Sequence, residues 1–411
     1  MLFPWRRAAE RLARDAKDGW TFFSPAAFTC VNEGNATRGS RCRSQRKAGC
    51  EPSASAPWQH GRMSIYISHR TALWLMCSPG IWPLVAGGSG DAGLRPAFGI
   101  GRTSGIIAET RTLLPKICAL ADWEEGRVRP LDMIVPKGAS RRKNDVCVRH
   151  SWGRALPENA VVRLDEGVYL STPEFAFLQM ANSLDEMELA ILGCSLCGRY
   201  YPCEGPTGFV RRPQLTTVKR LYGFLAQFRN VKNASKARRA LRWVHEGSRS
   251  PMETSTAMLL SVSRRMGGYG LPKPMLNQMV ELSGGSSAIA GTPYYVVDLY
   301  YPKSKVAVEY LGKAYHKDVD RDVTREYVLR GEGCTLFNVT ITQVATSSLR
   351  NRLVMDIARA IGYRLRKSTP AISDKRKAFL NRILPHRSQI LKSGEVVWKS
   401  APWAMPSLRL S

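Results

Sequence analysis

The chain has 411 residues, 44% of them hydrophobic, which is enough for roughly two to three domains with buried cores and excludes a fully disordered protein. Its 61 lysines and arginines outnumber its 33 acidic residues, so the formal net charge is +28 at pH 7. A charge of this size favours a polyanionic partner, and we expect nucleic acid. A basic, solvated surface without specific binding would have the same composition.

The ten cysteines are scattered along the chain, unlike those of a small secreted disulfide scaffold, so we expect a reducing, cytoplasmic environment. Residues 1–14 mix charged and apolar side chains and do not resemble a signal peptide. Residues 71–90 are the most apolar segment, but Pro79, Pro83 and several glycines interrupt it. We therefore expect no membrane span.

Residues 1–62 are rich in Arg, Ser, Gly and Asn and have no sustained helical or strand period. We expect disorder in this extension. As an alternative, Met63 is the true start and the extension is not normally translated.

Residues 63–245 alternate short β-rich runs with polar loops, which predicts a mixed α+β accessory domain. Thr172-Pro173-Glu174 is typical of a helix start. Two amphipathic helices are predicted between residues 215 and 245, with a basic face that could meet phosphates. That face contains Lys219, Arg220, Lys232, Lys236, Arg238, Arg239 and Arg242.

Cys194, Cys197 and Cys203 have part of the spacing of a zinc site. A second cysteine pair is missing, so buried thiols are the favoured interpretation and a structural zinc site is the alternative.

A helix is predicted to begin at Ser250-Pro251, because Ser caps helices, Pro suits their first turn and Glu253 completes a capping box. Three β-rich runs follow, at residues 275–282, 294–301 and 305–310. The last two read as a hairpin turning at Lys303-Ser304. This register places Asp298 directly opposite Glu309.

Two carboxylates in a largely apolar hairpin would repel each other unless they were protonated or bridged by a cation. Hard oxygen ligands favour Mg²⁺ or Mn²⁺, and we expect one of these cofactors at Asp298 and Glu309. Glu253 alone is better explained by helix capping, but its position ahead of the acidic hairpin makes it a third candidate ligand.

A further helix is predicted to run to about Arg330, followed by a strand at residues 334–340 and a helix at 344–361. Arg321 and Arg325 lie one turn apart on the first of these helices, where they could hold a phosphate or form surface pairs with Asp318, Asp322 or Glu326. The predicted order is α-β-β-β-α-β-α.

The ordered motifs Ser-Pro-x-Glu, Val-Asp-Leu, Val-Glu-Tyr-x-Gly, Asp-x-x-Arg and Phe-Asn-Val-Thr resemble the domain family related to very-short-patch-repair endonucleases, within the PD-(D/E)XK superfamily. The resemblance covers residues 250–363. It implies a restriction-endonuclease-like core with a metal site at Glu253, Asp298 and Glu309, and with His316 and Arg325 close to the phosphate.

The chain departs from that family at Leu311, where an acidic residue or lysine is usual. Lys313, two residues later, is the candidate substitute, and it or His316 would orient water. The leading hypothesis is a DNA endonuclease of bacterial defence or repair, of unspecified oligomeric state. The alternative is a catalytically degenerate DNA-binding or antitoxin-like regulator.

Residues 63–245 also resemble, more weakly, the accessory domains of AbiE-type antitoxins. The resemblance rests on residues 131–137, His150, Leu156-Pro157, residues 167–170 and residues 194–198. Residues 368–411 carry a basic cluster at 375–377 and are expected to form a C-terminal appendage.

Overall fold

The structure is a computed structural model and describes residues 64–86, 103–121, 130–137, 144–203, 208–228, 231, 233–312, 319–384, 387–390 and 396–398. The chain divides into two units, Met1–Arg62 and Met63–Ser411. The division falls where the composition changes. The expected disorder of the first unit concerns residues outside the described ranges.

The first sheet lies in the accessory region and has five strands, in the order β3-β2-β1-β5-β4. β1 pairs with β5 and β2 with β3 in parallel, whereas β1–β2 and β4–β5 are antiparallel. The strands are β1 (Ile65–Ile67), β2 (Leu131–Pro136), β3 (Cys147–Trp152), β4 (Val161–Asp165) and β5 (Val168–Ser171).

The helices of the accessory region pack around its apolar core. The predicted helix start at Thr172 is present, with the Thr172 hydroxyl accepting a hydrogen bond from the Phe175 amide, and every residue of that helix is buried. These helices are α1 (His69–Leu75), α2 (Trp82–Ala86), α3 (Thr103–Ala121), α4 (Pro173–Met180), α5 (Glu186–Leu196), α6 (Val218–Ala226) and α7 (Ala234–Leu241).

The predicted amphipathic helices correspond to α6 and α7, but several of their basic side chains make contacts within the protein. Arg220 pairs with buried Glu174 at 2.9 Å, and Arg239 pairs with Glu186 at 2.7 Å. Lys236 and Arg238 donate to backbone carbonyls of the core. Much of the basic face therefore ties helices together.

The second sheet has the strand order β11-β10-β9-β8, with β10 and β11 parallel and the other pairs antiparallel. Its strands β8 (Met275–Glu281), β9 (Tyr294–Tyr301), β10 (Val306–Tyr310) and β11 (Thr335–Val339) are at the predicted positions. A hairpin of β6 (Tyr200–Pro202) and β7 (Phe209–Arg211) precedes them in the chain. The two sheets and their helices give a mixed α/β fold, in agreement with the predicted class.

The helices around the second sheet begin with α8 (Pro251–Ser261), whose start at Ser250 is as predicted. An unpredicted short helix, α9 (Gly284–Ala290), lies between β8 and β9. The others are α10 (Val319–Gly331), α11 (Ile341–Ala345), α12 (Ser347–Ala360) and α13 (Pro370–Ile383).

Helix α13 belongs to the packed body of the protein. Its Phe379, Leu380 and Ile383 are buried in the same apolar cluster as residues of both sheets. Its Arg376 stacks over the Tyr269 ring, 3.7 Å from the ring centroid. Most of the apolar core is thus shared between the accessory region, the second sheet and a helix that the sequence placed in an appendage. Strands β12 (Arg387–Ile390) and β13 (Val396–Trp398) pair after it.

Across the described ranges, no helix is both long and apolar enough to cross a membrane.

Candidate acidic site

The hairpin of β9 and β10 brings Asp298 and Glu309 together. Tyr301 pairs with Val306 and Leu299 with Val308, the register predicted from the sequence. The turn itself differs: Pro302–Ser304 forms a 3-10 helix, and Lys305 takes a left-handed conformation at φ 50°. Continuing the register by one pair sets Asp298 opposite Glu309, and the Tyr310 amide donates to Asp298 Oδ2 at 2.9 Å.

Asp298 and Glu309 are the centre of a polar row that crosses the whole sheet. On β11, Asn338 pairs with Glu309. On β8, Leu276 pairs with Leu299 and Gln278 with Val297, so Asn277 lies between them, level with Asp298. Neither asparagine was assigned to the site from the sequence, because their alignment depends on the pairing of strands separated along the chain.

Glu253 reaches this row from helix α8. Its amide donates to the Ser250 hydroxyl, as a helix cap requires. Its carboxylate accepts from the Arg249 amide at 2.8 Å and from Asn277 Nδ2 at 2.6 Å. Glu253 therefore takes part in the helix start and also bonds to the residue level with Asp298.

Burial raises the pKa of all three carboxyl groups. For Glu253, burial and then the Asp298 charge raise the pKa to about 7. For Glu309, burial and then Asp298 also raise the pKa to about 7, although the Arg325 guanidinium opposes the shift. Burial likewise raises the pKa of Asp298. The three groups thus resist being charged together near neutral pH.

Arg325 on helix α10 is a cation bonded directly to the acidic row. Its guanidinium bonds Glu309 Oε1 at 2.6 Å, donates to the Val296 carbonyl and lies 4.9 Å from the centroid of the Tyr295 ring. It contacts the acidic row rather than the surface acids that were the alternative. Arg321, one turn earlier, is exposed. Lys313 and His316 lie outside the described residues.

Asp298 and Glu309 have the donor chemistry for a hard divalent cation, because they are carboxylates at adjacent positions whose mutual repulsion a cation would relieve. Within the ranges that the structure describes, however, no three His, Cys, Asp or Glu side chains form a group ready to hold a metal ion. Two carboxylates, with water and substrate oxygens completing the shell, suit Mg²⁺, which usually keeps several waters.

Leu311 occupies the position where the resembling family has an acidic residue or lysine. Its amide donates to the Val339 carbonyl at 2.7 Å, which extends the pairing of β10 with β11 beyond Tyr310. Because side chains alternate along a strand, Leu311 lies on the same face as Glu309. This part of the site is therefore apolar.

The cysteines of the alternative zinc site lie in the core. Cys194 Sγ accepts from the His245 amide at 3.1 Å and donates to the Trp243 carbonyl at 3.8 Å. Burial raises the pKa of Cys194 to about 12 and raises that of Cys197 well above its usual value. These are the contacts and acidities of packed thiols.

A second polar cluster, not identified from the sequence, lies on the first sheet. His150 Nε2 bonds Asp132 Oδ1 at 2.7 Å, and the His69 ring stacks on His150 with 3.6 Å between centroids. Burial lowers the pKa of His69 to about 3, so that ring is neutral. The cluster links helix α1 to strands β2 and β3.

No protein-family model matches the chain, and neither characterised proteins nor solved structures include a detectable relative.

Proposed function

We propose that this protein is a metal-dependent endonuclease that hydrolyses DNA phosphodiesters, with Asp298 and Glu309 as its catalytic centre. The observation that carries the proposal is their alignment on neighbouring strands, with Arg325 bonded to Glu309 at 2.6 Å. Two acids at facing positions in a sheet repel each other and destabilise it. Carboxyl groups whose pKa values are perturbed in this way cluster at functional sites.

The order of elements supports a PD-(D/E)XK-like core. Helix α8, strands β8, β9 and β10, helix α10, strand β11 and helix α12 follow the order α-β-β-β-α-β-α, with the short α9 and α11 added. In this proposal the acidic hairpin and α8 hold the reaction centre, and α10 supplies cations beside it.

Asp298 and Glu309 would hold Mg²⁺ or Mn²⁺, with Glu253 alongside as a third acid. When bound, the cation would supply a Lewis acid that activates water and offsets charge on the phosphate. Arg325 would fix Glu309 and bind a phosphate oxygen, with Arg321 next along the helix. Lys313 and His316 are the proposed groups that orient water.

Incubating the purified full chain with supercoiled plasmid DNA in Mg²⁺, Mn²⁺ or EDTA tests this function. We expect metal-dependent nicking that Asp298→Asn abolishes while DNA binding remains. Asp374→Asn, on the exposed side of α13, is the matched control and should cleave normally. Full Mg²⁺-dependent cleavage by Asp298→Asn would refute the proposed centre.

The alternative is a non-catalytic DNA-binding or antitoxin-like regulator, and Leu311 is the observation that favours it. A leucine beside Glu309 can neither bind metal nor orient water. This alternative predicts DNA binding without nicking by the natural chain and metal-dependent nicking by Leu311→Lys. Nicking by the natural chain would exclude it.

A further inference from the structure

The β6–β7 hairpin is bonded to the start of helix α8, which carries Glu253. The Arg199 amide, just before β6, donates to the Ser248 carbonyl at 2.7 Å. The Tyr200 hydroxyl bonds the Thr254 hydroxyl at 2.9 Å, and both groups are buried. The hairpin is therefore held at a defined position beside the acidic site.

Three arginines meet at this junction: Arg199 before β6, Arg211 at the end of β7, and Arg249 before α8. We call them the arginine track. Arg211 pairs with Tyr200 across the hairpin, and the Arg212 amide donates to the Arg199 carbonyl, so Arg199 and Arg211 belong to neighbouring positions. Arg199 and Arg211 are exposed, whereas Arg249 is partly buried.

The charges of the arginine track and of the acidic site lie close enough to interact. Burial, and then the charge of Arg199, lower the pKa of Arg249, while Glu253 and Asp298 oppose the shift and Arg211 adds to it. The Arg249 amide also donates to Glu253 at 2.8 Å. Arg249 thus links the two exposed arginines to the carboxylates.

Three neighbouring guanidinium groups repel one another because they carry like charges. An anion with several charges would relieve this repulsion. Guanidinium forks match phosphate oxygens in bidentate geometry, and successive arginines suit successive phosphates.

We propose that the arginine track binds the phosphate backbone of the DNA strand that enters the acidic site. The accessory region then takes part in substrate binding through its β6–β7 hairpin. This inference rests on the proposed function in one respect, because the scissile phosphate would be the one that reaches Asp298 and Glu309.

The test measures binding of a fluorescein-labelled DNA duplex by anisotropy, in EDTA, at several salt concentrations. We expect the double variant Arg199→Gln/Arg211→Gln to bind at least about 10-fold more weakly. The slope of log Kd against log salt should fall by about 1.8, since each phosphate contact contributes about 0.9. The charge-retaining variant Arg199→Lys/Arg211→Lys should keep the slope.

The matched control is Lys219→Gln/Arg242→Gln, which removes two exposed charges from α6 and the residue after α7. An equal loss of affinity and slope in this control would overturn the inference, because binding would then depend on bulk charge. Displacement of the DNA by poly-glutamate at equal charge concentration would also overturn it, in favour of an acidic peptide partner. Circular dichroism melting confirms that all variants are folded.

This measurement needs no cleavage, so it separates the two proposals. Loss of slope in the track variant of a chain that never nicks DNA would support the track and refute the endonuclease. Nicking by the natural chain, with an unchanged salt slope in the track variant, would support the endonuclease and refute the arginine track.

Discussion

At the scale of single residues, the acidic site places three carboxyl groups close together, and their burial and mutual repulsion lower the stability of the fold. Glu253, Asp298 and Glu309 are largely shielded from water, and burial raises the pKa of each above its usual value. Arg325 compensates one of them. The remaining repulsion is what a divalent cation would remove.

The raised pKa values predict a pH-dependent response to metal. The contribution of Glu253 and Glu309 to the stability of the unliganded fold should be fully present below about pH 4.5, the usual pKa for Glu, and should be lost as the pH rises through about 7, where both groups ionise in the folded state. Mg²⁺ should therefore raise the melting temperature more at pH 8 than at pH 5.5, as measured by scanning fluorimetry.

Glu309→Gln should remove most of this pH-dependent metal effect, whereas Glu281→Gln, an exposed acid on β8, should preserve it. An equal Mg²⁺ shift at both pH values in the natural protein would contradict the two-carboxylate site.

Removing Arg325 should destabilise the protein and strengthen its response to metal. Arg325→Gln leaves Glu309 without its cation in a mostly buried place, at a cost of roughly 1–3 kcal/mol, less than for a fully buried pair. Because Mg²⁺ no longer competes with the guanidinium, it should stabilise this variant more than the natural chain.

The matched control for that variant is Arg352→Gln, which breaks the exposed pair with Asp356 at 2.9 Å. Its cost in urea unfolding should be within about 0.5 kcal/mol. A similar cost for both variants would mean that the Arg325 pair has the weak energy of a surface contact.

At the scale of secondary-structure elements, helix α13 stabilises the region that carries Glu253. The Ser255 hydroxyl on α8 donates to the Ile383 carbonyl of α13. A Cβ at Gly267, where φ is 107°, would lie 2.5 Å from Phe379 Cβ, so the turn after α8 and α13 touch closely. A glycine is required there both for the backbone conformation and for this approach.

Phe379→Ala should therefore destabilise the protein by about 3–4 kcal/mol in urea unfolding, through lost burial and an unfilled cavity. Lys377→Ala, two residues earlier on the exposed side of α13, should change stability by less than about 0.5 kcal/mol. If Phe379→Ala were equally mild, α13 would be a loosely attached appendage, as its sequence suggested.

At the scale of the whole molecule, the accessory region shares its main core with part of the second sheet. Buried residues from Ile65 to Ile383 belong to one apolar cluster. A smaller cluster of Val280, Val297, Ala307, Leu329 and Cys334 belongs to the second sheet and helix α10. His245 Nε2 bonds the Ser261 hydroxyl at 2.8 Å, and Tyr200 bonds Thr254, so polar contacts also join the accessory region to α8.

A fragment of residues 250–363 should consequently fail to fold, because helix α8 would lose its partners on the accessory side and on α13. We expect no cooperative thermal transition by circular dichroism and poor dispersion of amide proton signals by NMR. Residues 63–411 should unfold in a single transition. A cooperatively folded fragment would instead establish an autonomous domain.

Several features could be predicted from the sequence because they depend on nearby residues. The cap and proline at Ser250-Pro251 determine where α8 begins, and apolar alternation determines β9 and β10. Once the hairpin register is known, the pairing of Asp298 with Glu309 follows by counting. The mixed α/β class and the positions of β8 and β11 depend on the same local patterns.

Other features were decided only by tertiary structure. Asn277 and Asn338 join the acidic row through pairing between strands that are distant in the chain. The arginine track depends on where the β6–β7 hairpin docks, and the partners of Arg220 and Arg239 depend on how α6 and α7 pack. By itself the chain determined its local elements and the acidic hairpin, because turn chemistry and side-chain periodicity act over a few residues. The tertiary structure decided which side chains are buried, which charges are paired and where the β6–β7 hairpin packs. These features arise from contacts between segments that are distant in the chain.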